Sequence, residues 1–327
     1  MVDFLRARRR ALVVAAVSAA AVFLASCSGG DADTPALFGS AVVVGASGAD
    51  TGNRCGVAAD PLCFPAPPYA GASTAANGKL YPELVAARYG APLAASSAGG
   101  TNYAIGGART GVIPTDTTPA TISNMQVQLE QYLLRSSYRI SPQTLVIIDG
   151  SAFGNNIRRA LEMLQTIPPA GQSAFATAVV SQAAADIYSL VLRSYSAGAR
   201  HVLLTNSSDL GLHPVVRALG PVAAGTATSL AVGFNGALAA QVVPQLRATL
   251  SGLNLYTVDF GKLSQDVSAN PPAFGFADGT APCYPYFSAP SAPVCATPDL
   301  YVWWDELHPT AAIHSLLAQR SITAIGI

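Results

Sequence analysis

Charge is scarce in this chain. Of its 327 residues only 11% are Asp, Glu, Lys or Arg, and 18 basic residues balance 18 acidic ones. No face of Lys and Arg is available to neutralise a phosphate backbone, which argues against a nucleic-acid partner. Histidine is scarcer still: His201, His213, His308 and His314 are the whole set, so the search for a general base near neutral pH is short. The five cysteines have no histidine or further cysteine beside them at zinc-ligand spacing, so metal binding is a poor reading. An internal repeat and a second domain boundary are also missing, which leaves a single domain long enough to bury a large core.

At the N-terminus, Arg6, Arg8, Arg9 and Arg10 precede an apolar stretch over residues 11–25, and Cys27 follows. That is the layout of a secretory signal, and the stretch is shorter than the ~20 residues a spanning helix needs. The string Leu24-Ala25-Ser26-Cys27 resembles a bacterial lipobox, which implies lipid modification of Cys27; an ordinary cleaved signal with an incidental cysteine is the alternative. By the same resemblance, Ser28 after the cysteine favours the outer membrane in a Gram-negative host. The expected organisation is a signal over residues 1–27, a polar tether over 28–36 and one domain over 37–327. Four of the 18 basic residues and one of the 18 acidic ones precede Cys27, leaving 14 against 17 and a net charge of −3. In an exported protein the locally spaced pairs Cys55 with Cys63 and Cys283 with Cys295 read as disulfides.

Beyond the tether, short apolar runs rich in branched residues alternate with long helical patterns. Residues 42–44, 145–148, 202–204 and 255–258 have the character of buried parallel strands. Leu230, Phe234, Leu238, Val242, Leu246 and Leu250 repeat every four residues on one helical face, and Pro244 should kink or break that helix. Residues 172–196 form another helix, with Gly198 at its C-terminal cap. The alternation predicts a three-layer α/β/α sandwich around a mostly parallel sheet. The Pro- and Gly-rich stretches 61–73 and 270–298 read as surface loops, each near an expected disulfide.

In such a sheet ligands collect at the carboxyl ends of the strands, where the strand order reverses. Ser47 follows the first strand in "VVVGASGADTGN" (residues 42–53), but a serine hydroxyl there needs a base. His308 offers one: Asp305 precedes it by three residues in "WWDELHPT", and Pro309 turns the pair away from helical geometry toward a loop that enters a C-terminal helix. Taken alone, Asp-x-x-His is common. Asn102 and Asn155 alone read equally well as turn residues, and Gly106 and Gly107 as a bend. His314 reads as a surface or packing residue, His213 as a loop residue near the site, and the string over residues 50–53 as a cap or a brace for the loop after Ser47.

Four blocks in order carry more than any one of them. "VVVGASGADTGN", "GTNYAIGGARTG" (residues 100–111), "IDGSAFGNN" (148–156) and "WWDELHPT" resemble the four blocks of GDSL-type esterases and lipases, the SGNH hydrolase superfamily. Similarity in "PPYAGASTAANGKLYPELVA", "SAGARHVLLTNSSDLGLHP" and "NPPAFGF" extends the resemblance over most of the chain. It implies a flavodoxin-like SGNH fold and a serine esterase or lipase with no metal or organic cofactor, acting on an ester substrate that includes lipid esters. Ser47 matches the nucleophile, His308 the base and Asp305 its acid partner. The backbone N–H groups of Ser47 and Gly107 and the amide of Asn155 match the oxyanion hole. Two departures stand out: the family's Gly-Asp-Ser-Leu is here Gly45-Ala46-Ser47-Gly48, and the third block ends in Asn155-Asn156 where a carboxylate is usual. Alternatives within the superfamily are an acyltransferase, a carbohydrate acetylesterase, or a surface-binding lipoprotein that keeps the fold with impaired catalysis. A standard α/β-hydrolase elbow fails because Ala49 stands where that motif needs glycine.

Overall fold

The computed structural model describes residues 38–56, 69, 76–91, 93–118 and 121–326. The chain divides at Pro35, and all described residues belong to the unit Ala36–Ile327. The signal, the tether, Cys27 and Cys63 lie outside the described residues, and so does most of the stretch 61–73.

Four strands form one sheet: β1 (Ser40–Val44), β2 (Thr144–Asp149), β3 (His201–Thr205) and β4 (Asn254–Val258). They lie side by side in chain order, and all three pairings are parallel. Successive side chains of a strand point to opposite faces, so each strand feeds two cores. Val44, Val146, Ile148, Val202 and Leu204 belong to one core; Val43, Leu145, Ile147 and Leu203 belong to the other. Because both faces are covered, these strands read as continuous apolar runs rather than alternating ones.

The helices follow from the handedness of the crossovers. After β1 the chain runs through α1 (Tyr81–Arg88) to the outer edge of β1, where Asn102 makes a single parallel bridge to Val43. It then returns through α2 (Met125–Arg135) to β2 on the other side of β1. Right-handed crossovers in opposite directions place their helices on opposite faces. Accordingly α1 packs in the core of Val43, whereas α2, α3 (Phe153–Leu164), α4 (Pro169–Ser196), α5 (Pro214–Arg217), α6 (Pro221–Ala237) and α7 (Val243–Thr249) share the core of Val44. Beyond β4, α8 (Phe260–Ala269) and α9 (Ala311–Ile325) rejoin α1. The result is the three-layer arrangement, with the order of connection reversing at β1.

Two long apolar helices, Pro169–Ser196 and the one from Pro221 to Thr249, have the length and composition of membrane spans, but each sends one face into the core. The second is not broken at Pro244. A π-helical segment, Leu238–Val242, joins α6 to α7 just before the proline, and this widened turn takes up the missing N–H and the bulk of the ring. The stretch 270–298 departs from a plain surface loop: it contains β5 (Asp278–Pro282), which pairs in parallel with β6 (Tyr301–Trp303). The Cys283–Cys295 disulfide is present as expected. It closes the segment that follows β5, beside an aromatic cluster of Tyr69, Tyr284 and Trp304.

Candidate active site

Ser47 leaves the carboxyl end of β1, at the strand where the order of connection reverses. The loop that carries it is braced from three directions. Asp50 is fully buried, and its carboxylate accepts the backbone N–H groups of Gly52, Asn53, Arg54 and Gly106 at 2.6–3.1 Å. Burial pushes its pKa up, and those four amides oppose the shift. The Asn53 amide donates to the carbonyls of Asn102 and Ala104. The Asn102 amide in turn donates to the Ala49 carbonyl at 2.7 Å. From the other core, Gln128 on α2 clasps Gly45, accepting its N–H at 2.8 Å and donating to its carbonyl at 3.0 Å. Gly45 has to be glycine: a Cβ there would lie 2.5 Å from the Cβ of Asp149.

Asp149 brings a buried carboxylate to this corner. It accepts the Ser151 hydroxyl at 2.8 Å and lies 3.5 Å from the Ala46 N–H, while burial raises its pKa against those donors. Ala46, where the family has aspartate, is itself buried.

Gly107 adopts φ +85°, the left-handed region that favours glycine. A Cβ at this position would come within 2.6 Å of an Arg54 guanidinium nitrogen. The same nitrogen donates to the Gly106 carbonyl, so the turn at 106–107 is held by Asp50 on its N–H side and by Arg54 on its carbonyl side. Asn155, in the first turn of α3, donates its amide to the Ala108 carbonyl at 2.8 Å. Asn156 faces elsewhere: it is buried against Thr110, accepting the Thr110 N–H at 3.1 Å and donating to its hydroxyl at 3.0 Å.

The loop before α9 supplies the other two predicted residues. His308 Nδ1 lies 2.8 and 3.0 Å from the two carboxylate oxygens of Asp305. Asp305 is fully buried and also accepts the backbone N–H groups of Leu307 and His308 at 2.8 and 2.7 Å. A carboxylate so placed keeps the proton on Nδ1 and leaves Nε2 as the basic nitrogen. The helix starts later than Pro309 suggests: Thr310 is its N-cap and Ala311 its first residue. Pro309 instead forms a bridge with Trp303, so the loop placement of the pair stands and the N1 role of the proline does not.

Further supports of this loop carry no sequence motif. Tyr69 donates its hydroxyl to Asp305 Oδ2 at 2.9 Å. Burial first, and the neighbouring carboxylate second, push that hydroxyl far above the usual tyrosine range, so it stays a donor. It is buried, although it belongs to a stretch that reads as surface loop. His213 Nδ1 lies 2.8 Å from the Leu307 carbonyl and its Nε2 lies 3.1 Å from the Ser208 hydroxyl; burial lowers its pKa to about 4, so the ring is neutral near pH 7. Glu306 accepts the N–H groups of Phe287 and Ser288 at 3.0 and 2.8 Å, tying the disulfide-closed segment to the Asp305–His308 loop. His314 is buried, accepts the Tyr81 N–H on Nδ1 at 3.3 Å and has a pKa lowered to about 3 by burial and by His308.

These residues converge on a cleft with two lobes, and Ser47, Asn155, Arg158, Leu307 and His308 line both. The larger lobe, of about 900 Å³, has apolar walls that include Leu210, Phe260, Leu263, Val267 and Leu317. Gly48 opens onto it, and a Cβ there would meet only ordinary contacts, the nearest being the Ser151 hydroxyl at 3.4 Å. The smaller lobe, of about 420 Å³, is bounded by Gly106, Gly107, Arg54 and Phe287. All five residues expected to carry the chemistry, Ser47, Gly107, Asn155, Asp305 and His308, are thus in or directly behind one cleft.

The chain matches the family model for GDSL-like Lipase/Acylhydrolase over residues 42–321. Among curated proteins it is similar to GDSL esterase/lipase LTL1 of Arabidopsis thaliana, 25% identical over 233 residues, which cover 62% of this chain and 59% of that protein. Another GDSL esterase/lipase from Arabidopsis thaliana is 30% identical over 148 residues, 42% of this chain and 41% of that one. A third is 30% identical over 141 residues, 40% and 38% respectively. The matched stretches span between 38% and 59% of these relatives' length. The order of the four blocks, the three-layer sheet that presents them and the family match over residues 42–321 lead to one conclusion: the chain belongs to the GDSL-like lipase/acylhydrolase family.

Proposed function

We propose that the protein is a serine hydrolase of carboxylic esters, with Ser47 as nucleophile, His308 as general base and acid, and Asp305 as its orienting carboxylate. The observation that carries this reading is the 2.8 Å contact between His308 Nδ1 and a fully buried Asp305, on the wall of the cleft that Ser47 also lines. The acyl group lies in the larger, apolar lobe and the alcohol in the smaller one. Ser47 Oγ attacks the carbonyl carbon while His308 Nε2 takes the hydroxyl proton. The carbonyl oxygen becomes an oxyanion held by the N–H groups of Ser47 and Gly107 and by the Asn155 amide. One Asn155 N–H is anchored on the Ala108 carbonyl, which leaves the second hydrogen of the same nitrogen for the substrate. Collapse of the intermediate breaks the bond to the alcohol, which leaves with the proton from His308. Water, deprotonated by the same nitrogen, then releases the acid and restores the serine. Donors fixed before charge appears act without reorganisation, and losing one costs on the order of 10²- to 10³-fold in rate.

The test is hydrolysis of p-nitrophenyl acetate, butyrate and palmitate by the protein and by Ser47→Ala. Rates in Ser47→Ala at least roughly 10³-fold below the parent are expected. Equal rates for the two would remove Ser47 from the mechanism, and inactivity on all three esters would favour a binding protein on the same fold.

A further inference from the structure

Two consecutive arginines on α3 meet different fates. Arg159 is fully engaged: its guanidinium binds Asp116 at 2.9 and 3.0 Å and Glu162 at 2.9 Å. Asp116 also takes Arg109 at 2.8 Å, and these interactions hold its carboxyl well below the usual range, Arg159 first among them. Arg158, its neighbour, has no hydrogen bond or ion pair among the described residues. It stands one turn beyond Asn155 on the same face of α3, and its side chain lines both lobes of the cleft where they meet. Arg54 borders the smaller lobe from the other side, with one guanidinium nitrogen on the Gly106 carbonyl and against Gly107. Among the described residues, no Asp or Glu lines this lobe.

An arginine without an ion pair among the described residues, set where the two lobes meet, attracts negative charge, and a planar guanidinium matches phosphate or carboxylate oxygens in a two-pronged arrangement. We propose that the smaller lobe is an anion-binding subsite: Arg158 pairs directly with a phosphate or carboxylate on the alcohol part of the ester. The inference rests on the esterase reading for the orientation of the substrate, because the apolar lobe then takes the acyl chain and directs the alcohol toward Arg158. Recognition comes from the existing charge, so Arg158 binds the alcohol and takes no part in proton transfer.

Two matched pairs of esters test this. Butyrylglycerol is compared with butyrylglycerol 3-phosphate, and isopropyl butyrate with O-butyryl-lactate, by kcat/KM for release of butyrate. A charge-assisted hydrogen bond supports a preference of about 10-fold or more for the anionic member. That preference should shrink as salt is raised, collapse toward unity in Arg158→Gln and persist in Arg158→Lys. Preference in the first pair alone assigns a phosphorylated alcohol, and in the second alone a carboxylated one; either supports the subsite. A ratio near one in the parent protein, or an unchanged ratio in Arg158→Gln, overturns it, and the esterase reading survives that result if p-nitrophenyl butyrate is cleaved by the parent and spared by Ser47→Ala. If no ester is cleaved, calorimetric titration with butyrylglycerol 3-phosphate decides the subsite separately. Binding weakened about 10-fold by Arg158→Gln supports it, and no binding or equal binding overturns it.

Discussion

The loop after β1 and the loop before α9 bring Ser47 and the Asp305–His308 pair to the same cleft, yet they are anchored in different ways. The first is held through its backbone, which Asp50 and Asn53 of its own block, Asn102 of the second block and Gln128 of α2 all engage. The second is held by Tyr69 and His213, which reach the Asp305 carboxylate and the Leu307 carbonyl. A nucleophile at a tight turn needs its backbone fixed, because the serine N–H is itself a working group in the proposed mechanism. An acid–base pair needs its side chains fixed, because the imidazole must keep one nitrogen protonated while the other works. The two kinds of anchoring follow from these two demands.

The contrast can be broken first at Asp50. Replacing it with alanine leaves four backbone N–H groups of the nucleophile loop without their acceptor, and each buried donor left unmet costs about 1–3 kcal/mol. Asp50→Ala should therefore lose about 3 kcal/mol or more in urea unfolding, together with most of the proposed esterase activity. A change within about 0.5 kcal/mol would mean that the loop is held by other contacts.

The acid–base loop should show its distinct support as a pH dependence. His213 is neutral in the fold, with a pKa lowered from 6.5 to about 4 by burial. The unfolded chain binds its proton first as the pH falls, so the stability tied to this group is present above about pH 6.5 and declines between about 6.5 and 4. Asp50, Asp149 and Asp186, whose pKa values burial raises, act in the opposite direction, which is why a difference against a variant is needed. The stability advantage of the parent over His213→Gln should shrink by about 2 kcal/mol between pH 7.5 and pH 5. A pH-independent difference would show that His213 is not held neutral.

The smallest of the three effects concerns Tyr69. Tyr69→Phe removes one donor to the Asp305 carboxylate and leaves the two backbone N–H groups in place. The expected outcome is a kcat about 10-fold lower with KM nearly unchanged, read with p-nitrophenyl butyrate. A change in KM alone would place Tyr69 in substrate binding instead.

This division also governs what the sequence made legible. The four core strands and the long helices announced themselves through continuous apolar runs and helical spacing, because two covered faces demand such patterns. The meeting of Ser47, Asp305 and His308 at one cleft was readable from their blocks, and so was the brace at residues 50–53. Tyr69, Gln128, His213 and Asp149 were not assigned roles, since no spacing rule connects a buried support with a partner many residues away. The pair Asn155 and Asn156 was ambiguous in one dimension, whereas the turn of α3 sends one toward the cleft and the other toward Thr110. The pairing of β5 with β6 was hidden for a different reason: Gly279 and Pro282 are poor strand formers, and the pair depends on neighbours such as Trp303, which donates its indole N–H to the Gly279 carbonyl.

The π-helical segment at Leu238–Val242 has a consequence for how the larger core keeps its alignment. In a regular α-helix each residue turns about 100°, so side chains spaced every four residues drift about 40° per step, and six of them spread over more than half the circumference. Leu230, Phe234, Leu238, Val242, Leu246 and Leu250 are nevertheless all buried. A turn closed by i→i+5 hydrogen bonds holds an extra residue, and that extra residue resets the phase of the stripe halfway along. Pro244 and the four-residue repeat are thus two parts of one device: the proline calls for a widened turn, and the widened turn keeps the last two leucines facing inward. Closing the same residues as an ordinary α-turn, with none removed, would leave Leu246 and Leu250 rotated by about 100° toward solvent.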